Sequence, residues 1–319
     1  MSRPCMIMWR KKNTTMRKII IVMLVCIMPH VAFAQGQIQA DSSVVFALHE
    51  KEHHYYFDGD IGGTPVRFAL DTGSPAMLIS EDFYDKHKDV LQLEVKDVVG
   101  KKLKIQRQSY NIRYRGRGHL SIGNAIYHGP VTVLSNLKTF YLPIQYLMLK
   151  WNKTAIVKLD LPSQKMSLLT RRMLGNDTID CNSFPLGKTE KGHFPTIRTH
   201  LSIFTEYKTI QMDGDFIVDT GNANLLYLSE RNEEVAKLIE DNSIERHSAR
   251  NKYGLELSKG LYADQCAIAG YNFKNKTIGL TDKLKSIEKE AGMIGVGFFI
   301  SPVIFDFNKK KIYIKPNNQ

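Results

Sequence analysis

The chain has 319 residues, of which 43% are hydrophobic and 24% charged, and its formal net charge is +12. That composition is ordinary for a globular protein, sized for one large domain or two modest lobes, and it excludes a disordered or low-complexity chain. Half of the charge is terminal: residues 1–34 hold six basic residues and no acid, so residues 35–319 carry +6. Without an aromatic-interleaved basic motif, the remaining excess reads as a solvated surface and no nucleic-acid partner is expected.

Arg10, Lys11, Lys12, Arg17 and Lys18 precede ten apolar residues, Ile19 to Met28, and Ala32-Phe33-Ala34 follows as a small-x-small cleavage site. The pattern predicts a secretory signal peptide over 1–34, removed before Gln35, with Met16 as an alternative start. Ten apolar residues are too few to span a bilayer comfortably, so no stable membrane anchor is expected after cleavage. The expected location is secreted or periplasmic. Only 36 residues separate Gln35 from Asp71, with strand-like sequence already at Val44, which leaves no room for a long inhibitory pro-segment.

His49-Glu50-Lys51-Glu52-His53 fits the H-E-x-x-H pattern of zinc peptidases, a minor alternative for this chain. That motif needs a helix to put both histidines on one face. Here it lies between the strand-like runs Val44 to Leu48 and Tyr55-Tyr56-Phe57, so a charged hairpin turn is expected and no metal.

Two segments then stand out. Asp71-Thr72-Gly73 and Asp219-Thr220-Gly221 lie 148 residues apart, each between apolar runs: Val66 to Leu70 and Ala76 to Ile79 around the first, Phe216-Ile217-Val218 and Leu225 to Leu228 around the second. A carboxylate among apolar strands is costly unless partnered. Two in matching contexts predict that they face each other, where close carboxyls sharing a proton can activate water.

The surroundings repeat as well. Ser80 and Ser229, at +9 and +10 from the aspartates, each open a short polar stretch and are expected as helix N-caps. Ile122-Gly123-Asn124 and Ile268-Ala269-Gly270 place hairpin glycines at +52 and +51. Val157 to Leu161 and Val303 to Phe307 place aspartates at +89 and +87, each followed by a closing strand. The duplication predicts a mainly β, bilobal protein: a lobe over 35–174, a linker over 175–182 and a lobe over 183–319. Cys181 and Cys266, the cysteines left after cleavage, either pair or remain as two free thiols.

These residues resemble the aspartic proteases of the pepsin and retropepsin group, in particular bacterial, secreted, two-lobed forms. The matches are Phe68 to Ser74, Phe216 to Asn222, and Met293-Ile294-Gly295-Val296-Gly297-Phe298-Phe299 running into Val303 to Asp306. The resemblance implies an acid-protease fold and peptide-bond hydrolysis of a polypeptide substrate by water held between Asp71 and Asp219. It implies no metal or organic cofactor, and a monomer is expected. It further implies that Thr72 and Thr220 cross-bond between the lobes, that Gly73 and Gly221 give the loops room, and that Ser74 bonds the outer oxygen of Asp71. Tyr114, in Tyr114-Arg115-Gly116-Arg117-Gly118, is the candidate for the tyrosine of the flap that covers the substrate. Two departures stand out. Asn222 replaces a small hydroxyl residue, and Leu147-Met148-Leu149 is expected in the register of Met293-Ile294-Gly295, with Leu149 where a glycine belongs. The alternative is the same fold without catalysis, a secreted peptide-binding module.

Overall fold

The computed structural model describes residues 42–316, apart from 106–107, 191–192, 207, 242–246, 251–255 and 282–288. The proposed signal peptide, Met16 and Gln35 lie outside the described residues. From Ser43 onward the chain forms one compact unit.

The first half runs β1 (Val44–Lys51), β2 (His54–Ile61), β3 (Thr64–Leu70), β4 (Met77–Ser80), α1 (Glu81–Leu91), β5 (Glu94–Asp97), β6 (Lys102–Ile105), β7 (Gln108–Ile122), β8 (Ala125–Leu134), β9 (Phe140–Leu142), a 3-10 turn (Ile144–Tyr146), β10 (Leu147–Leu149), β11 (Ile156–Asp160), β12 (Lys165–Leu168) and α2 (Arg171–Asp177). The second runs β13 (Asn182–Lys188), β14 (Pro195–Phe204), β15 (Thr209–Val218), β16 (Leu226–Ser229), α3 (Glu233–Asp241), β17 (His247–Arg250), β18 (Glu256–Ile268), β19 (Tyr271–Thr281), β20 (Gly292–Ile294), a 3-10 turn (Val296–Phe298), β21 (Val303–Asp306) and β22 (Lys311–Ile314). The molecule is mainly β, as the alternating patterns predict.

The halves meet in one antiparallel sheet of order β1-β12-β11-β21-β22-β13. Its centre is the β11–β21 pair, with Ile156 opposite Asp306 and Leu159 opposite Val303. The sheet is symmetric about that pair. At one edge β1 joins β12 through Val44 to Ala47 and then β2 through Leu48 to Lys51. At the other, β13 joins β22 through Asn182 to Pro185 and then β14 through Leu186 to Lys188.

Each half adds the same pairing sequence. β3 runs parallel to β9, β9 antiparallel to β4, and β4 parallel to β8. β15 runs parallel to β20, β20 antiparallel to β16, and β16 parallel to β19. β7–β8 and β18–β19 are the long hairpins, turning at Gly123-Asn124 and Ala269-Gly270 as expected. Gly123, Ala269 and Gly270 take the positive φ that such tight turns require. One continuous core holds Phe57, Phe68 and Tyr127 from the first half and Phe216, Tyr271, Phe298 and Phe305 from the second.

The linker region is partly regular: Gly175, Asn176 and Asp177 close α2, whose Leu174 packs on Ile156 and Ile304 beside the central sheet. Arg171 of α2 pairs with the fully buried carboxylate of Asp306. Ser80 caps α1 by accepting from the Phe83 N–H. Ser229 does not cap α3. It ends β16, and the helix starts later, its cap supplied by the Asn232 Oδ1, which accepts from the Val235 N–H at 3.1 Å. Asn232 is as good a cap as serine and is followed at once by Glu233 and Glu234. Both described cysteines are free, Cys266 buried and Cys181 half-buried, which settles their pairing. No helix among the described residues is long and apolar enough to cross a membrane.

Candidate active site

β3 and β15 each deliver an aspartate at their C-terminal ends. The Asp71 N–H donates to the Leu142 carbonyl of β9 at 3.2 Å, and the Asp219 N–H to the Ile294 carbonyl of β20 at 2.8 Å. The two tripeptides are then held together by their threonines, both fully buried. The Thr72 N–H donates to the Thr220 hydroxyl oxygen at 3.0 Å, and the Thr220 N–H to the Thr72 hydroxyl oxygen at 2.9 Å. The Thr72 hydroxyl donates onward to the Val218 carbonyl at 2.6 Å.

The glycines allow this approach. A Cβ on Gly73 would lie 2.4 Å from the Asp219 Cγ, and one on Gly221 2.7 Å from an Asp71 carboxyl oxygen. Any side chain there would displace a carboxyl.

The two carboxyls are hydrogen-bonded to each other. Burial pushes Asp71 well above the ordinary carboxylate range. The Asp219 charge and the shared hydrogen bond push it further, while the Gly73 and Ser74 N–H groups pull the other way. Burial raises Asp219 too, opposed by the Gly221 N–H, the hydrogen bond from Asp71, the Gly73 N–H and His54. Both carboxyls are thus raised in the fold, and the pair titrates as a unit. The Gly221 N–H meets an Asp219 oxygen at 2.8 Å.

A cleft of about 500 Å³ lies over the dyad. His54, Tyr56, Phe194, Met293 and Tyr141 line it, with Leu103, Lys104 and Ile105 of β6. Burial, then the nearby Asp71 charge, pushes the Tyr141 phenol up to about 12, so its hydroxyl stays a donor.

Several expected roles fall elsewhere. Tyr114 sits mid-β7, opposite Asp97 and Val133, and its ring lies 5.0 Å from that of Tyr84 on α1. It does not line the cleft. The hairpin that reaches the cleft is β6–β7, whose first strand begins twelve residues before Tyr114. The Ser74 hydroxyl donates to the Ala76 carbonyl at 2.7 Å, so Ser74 supports Asp71 through its backbone N–H. The Asn222 Oδ1 accepts from Asn224, and its buried Nδ2 has no partner among the described residues. Leu149 belongs to β10 and pairs with Ala125. The segment equivalent to Met293-Ile294-Gly295 is Tyr141-Leu142-Pro143, since Leu142 stands beside Leu70 as Ile294 stands beside Val218. His49, Glu50 and His53 occupy the β1–β2 hairpin, with Glu52 and His53 at φ 54 and 61, so the helical zinc geometry is not formed. No cluster of three or more His, Cys, Asp or Glu among the described residues could hold a metal ion.

Gln145 went unnoticed in the sequence. Its Nε2 donates, at 3.4 Å each, to the Thr72 and Ser74 carbonyls, bracing the first loop. A lone glutamine carries no pattern that marks this role.

By sequence, no protein-family model matches the chain and no curated protein matches it. In structure it is similar to an aspartic proteinase from Irpex lacteus, with a TM-score of 0.52 and 12% identity over 87% of this chain and 98% of that one. The fold is therefore the pepsin-like aspartic proteinase fold.

Proposed function

We propose that this protein is an aspartic endopeptidase, secreted or periplasmic, acting as a monomer on a polypeptide and using no metal or organic cofactor. One observation carries the reading: two buried carboxyls, set against each other by duplicated loops, lie at the floor of a cleft. Asp219, the ionised member, draws a proton from water as its oxygen attacks the scissile carbonyl carbon. Asp71 gives its proton to the carbonyl oxygen. The tetrahedral diol then collapses as a proton passes to the leaving nitrogen, with no covalent enzyme intermediate. The lobes 35–174 and 183–319, joined through 175–182, each supply one carboxyl.

The test is peptide-library cleavage across acid and neutral pH, with and without chelator, beside Asp219→Asn. The wild type is expected to cleave and to ignore chelator. Asp219→Asn is expected to lose at least about 10³-fold in kcat/KM while melting as a folded protein. Comparable activity in the variant overturns the dyad. No cleavage from a folded wild type replaces this reading with that of a peptide-binding module.

A further inference from the structure

Between Asp97 and Asp160 the sequence contains eleven lysines and arginines and no acid, so this stretch carries +11 while the rest of residues 35–319 carries −5. It folds as β6 to β10 and most of β11, and so includes the hairpin that reaches the cleft. Five of these cations occupy exposed positions of β6 and β7. β6 alternates exposed Lys102 and Lys104 with half-buried Leu103 and Ile105. Lys104 stands opposite Ser109 of β7 and Lys102 opposite Asn111, and that same face of β7 continues through exposed Arg113, Arg115 and Arg117. Lys96 of β5 stands opposite Arg115.

The acids on this face are few. Glu81 pairs with Arg113 at 2.6 Å, the Asp97 charge also acts on Arg113, and Glu94 stands opposite Arg117. Lys96, Lys102, Lys104 and Arg115 have no ion-pair partner among the described residues. From Ser109 to Arg117 the strand spans roughly 27 Å at about 3.4 Å per residue, the reach of an extended peptide segment. At its cleft end is Lys104, which lines the cavity itself. Apart from the dyad, the charged and titratable groups lining that cavity are Lys104, His54, Tyr56 and Tyr141, none of them a carboxylate.

We infer that the protein selects polypeptides bearing an acidic segment beside the cleavage site, which the Lys102–Lys104 and Arg115–Lys96 face holds while the adjoining residues enter the cleft. This rests on the endopeptidase reading for its catalytic half only. Like-charged segments are repelled and acidic ones steered, so the effect falls on specificity and encounter.

The experiment compares two peptides with the same scissile region, one flanked by a Glu/Asp segment and the other by its Gln/Asn counterpart. Wild type and a Lys104→Glu/Arg115→Glu variant, checked for an unchanged melting temperature, are assayed for kcat/KM. Binding of both peptides to the non-cleaving Asp219→Asn protein is read by fluorescence anisotropy. The wild type is expected to favour the acidic peptide about tenfold, and salt to erase the preference as the Debye length shrinks from about 30 to about 3 Å. The variant is expected to lose or invert it. Equal use of both peptides, or a preference the variant leaves intact, overturns the inference, as does an oligonucleotide that binds as tightly as the acidic peptide. If nothing is cleaved yet acidic peptide still binds selectively, the endopeptidase reading fails and the acidic preference stands.

Discussion

The two Asp-Thr-Gly loops are held by different means although they come from one repeated pattern. The second is braced by backbone. Gly295, Val296 and Gly297 donate their N–H groups to the Leu225, Asn222 and Asn224 carbonyls at 3.0, 2.8 and 3.2 Å. That approach requires glycine, since a Cβ on Gly295 would lie 2.2 Å from the Asn224 oxygen. In the first half Pro143 stands where Gly295 does, with no N–H to give. The Gln145 side chain donates to the Ser74 carbonyl, the counterpart of that of Asn222, and to the Thr72 carbonyl beside it. A shared geometry can thus outlast the interactions that made it, provided each loop's carbonyls keep donors.

The central sheet offers the largest break in this symmetry. Asp160 and Asp306 end equivalent strands, and each accepts from a turn N–H, of Ser163 and Lys309 respectively. Asp306 alone is fully buried and pairs with Arg171. Asp306→Ala leaves an arginine without its carboxylate at a half-buried site and is expected to cost about 3–5 kcal/mol, against about 1 for Asp160→Ala. Denaturant unfolding of the two variants measures the difference. Equal losses would mean that the Arg171 pair adds nothing to the shared turn bond.

The braces themselves come next. Gly295→Ala forces a methyl against backbone and is expected to cost about 2–3 kcal/mol, with a matching fall in kcat because the second loop must shift. Gln145→Ala removes two long bonds, and with them a buried Oε1 that has no partner among the described residues, so about 1 kcal/mol is expected. Thermal melts and kcat on one peptide separate the two. A Gln145→Ala loss as large as that of Gly295→Ala would show the side-chain brace to be the tighter.

Within the dyad the comparison becomes one of pH. A carboxyl raised above its unfolded value adds stability below the unfolded value, and loses it as pH rises through the folded one. Asp71, raised more strongly than Asp219, therefore burdens the fold at neutral pH. Asp71→Asn is expected to stabilise the protein at neutral pH and to change it little near pH 4. Melts at the two pH values check it, and a gain that stays the same at both would show that Asp71 is not raised in the folded state.

What the sequence discloses follows from what repeats. Turn glycines, the Asp-Thr-Gly loops and the closing strands recur at nearly constant offsets, so the mainly β duplication and the meeting of Asp71 with Asp219 were legible. Insertions were not. The halves are offset by 148 residues at the aspartates, by 152 at Pro143 and Gly295, and by 146 at the aspartates of the closing strands. A fixed count of 146, taken from the closing strands, therefore puts Leu149 where Pro143 belongs. Tyr114 misled for a related reason. Alternation marks β7 as a strand along its whole length, but not which of its partner strands lines the cleft. The hydroxyl of Ser74 had two acceptors in reach, and only packing decides between them.

The smallest contrast concerns the two serines that looked alike. The Ser80 hydroxyl caps α1, and Ser80→Ala is expected to cost about 1 kcal/mol by stranding the Phe83 N–H. The Ser229 hydroxyl is fully buried without a partner among the described residues, because Asn232 has taken the capping role. Removing it relieves a desolvated polar atom and opens a void of only one oxygen, so Ser229→Ala is expected to be neutral or slightly stabilising. A loss above about 1 kcal/mol in Ser229→Ala, by chemical denaturation, would show that its hydroxyl is satisfied after all. The two halves would then be more alike in their helix starts than in the braces of their Asp-Thr-Gly loops.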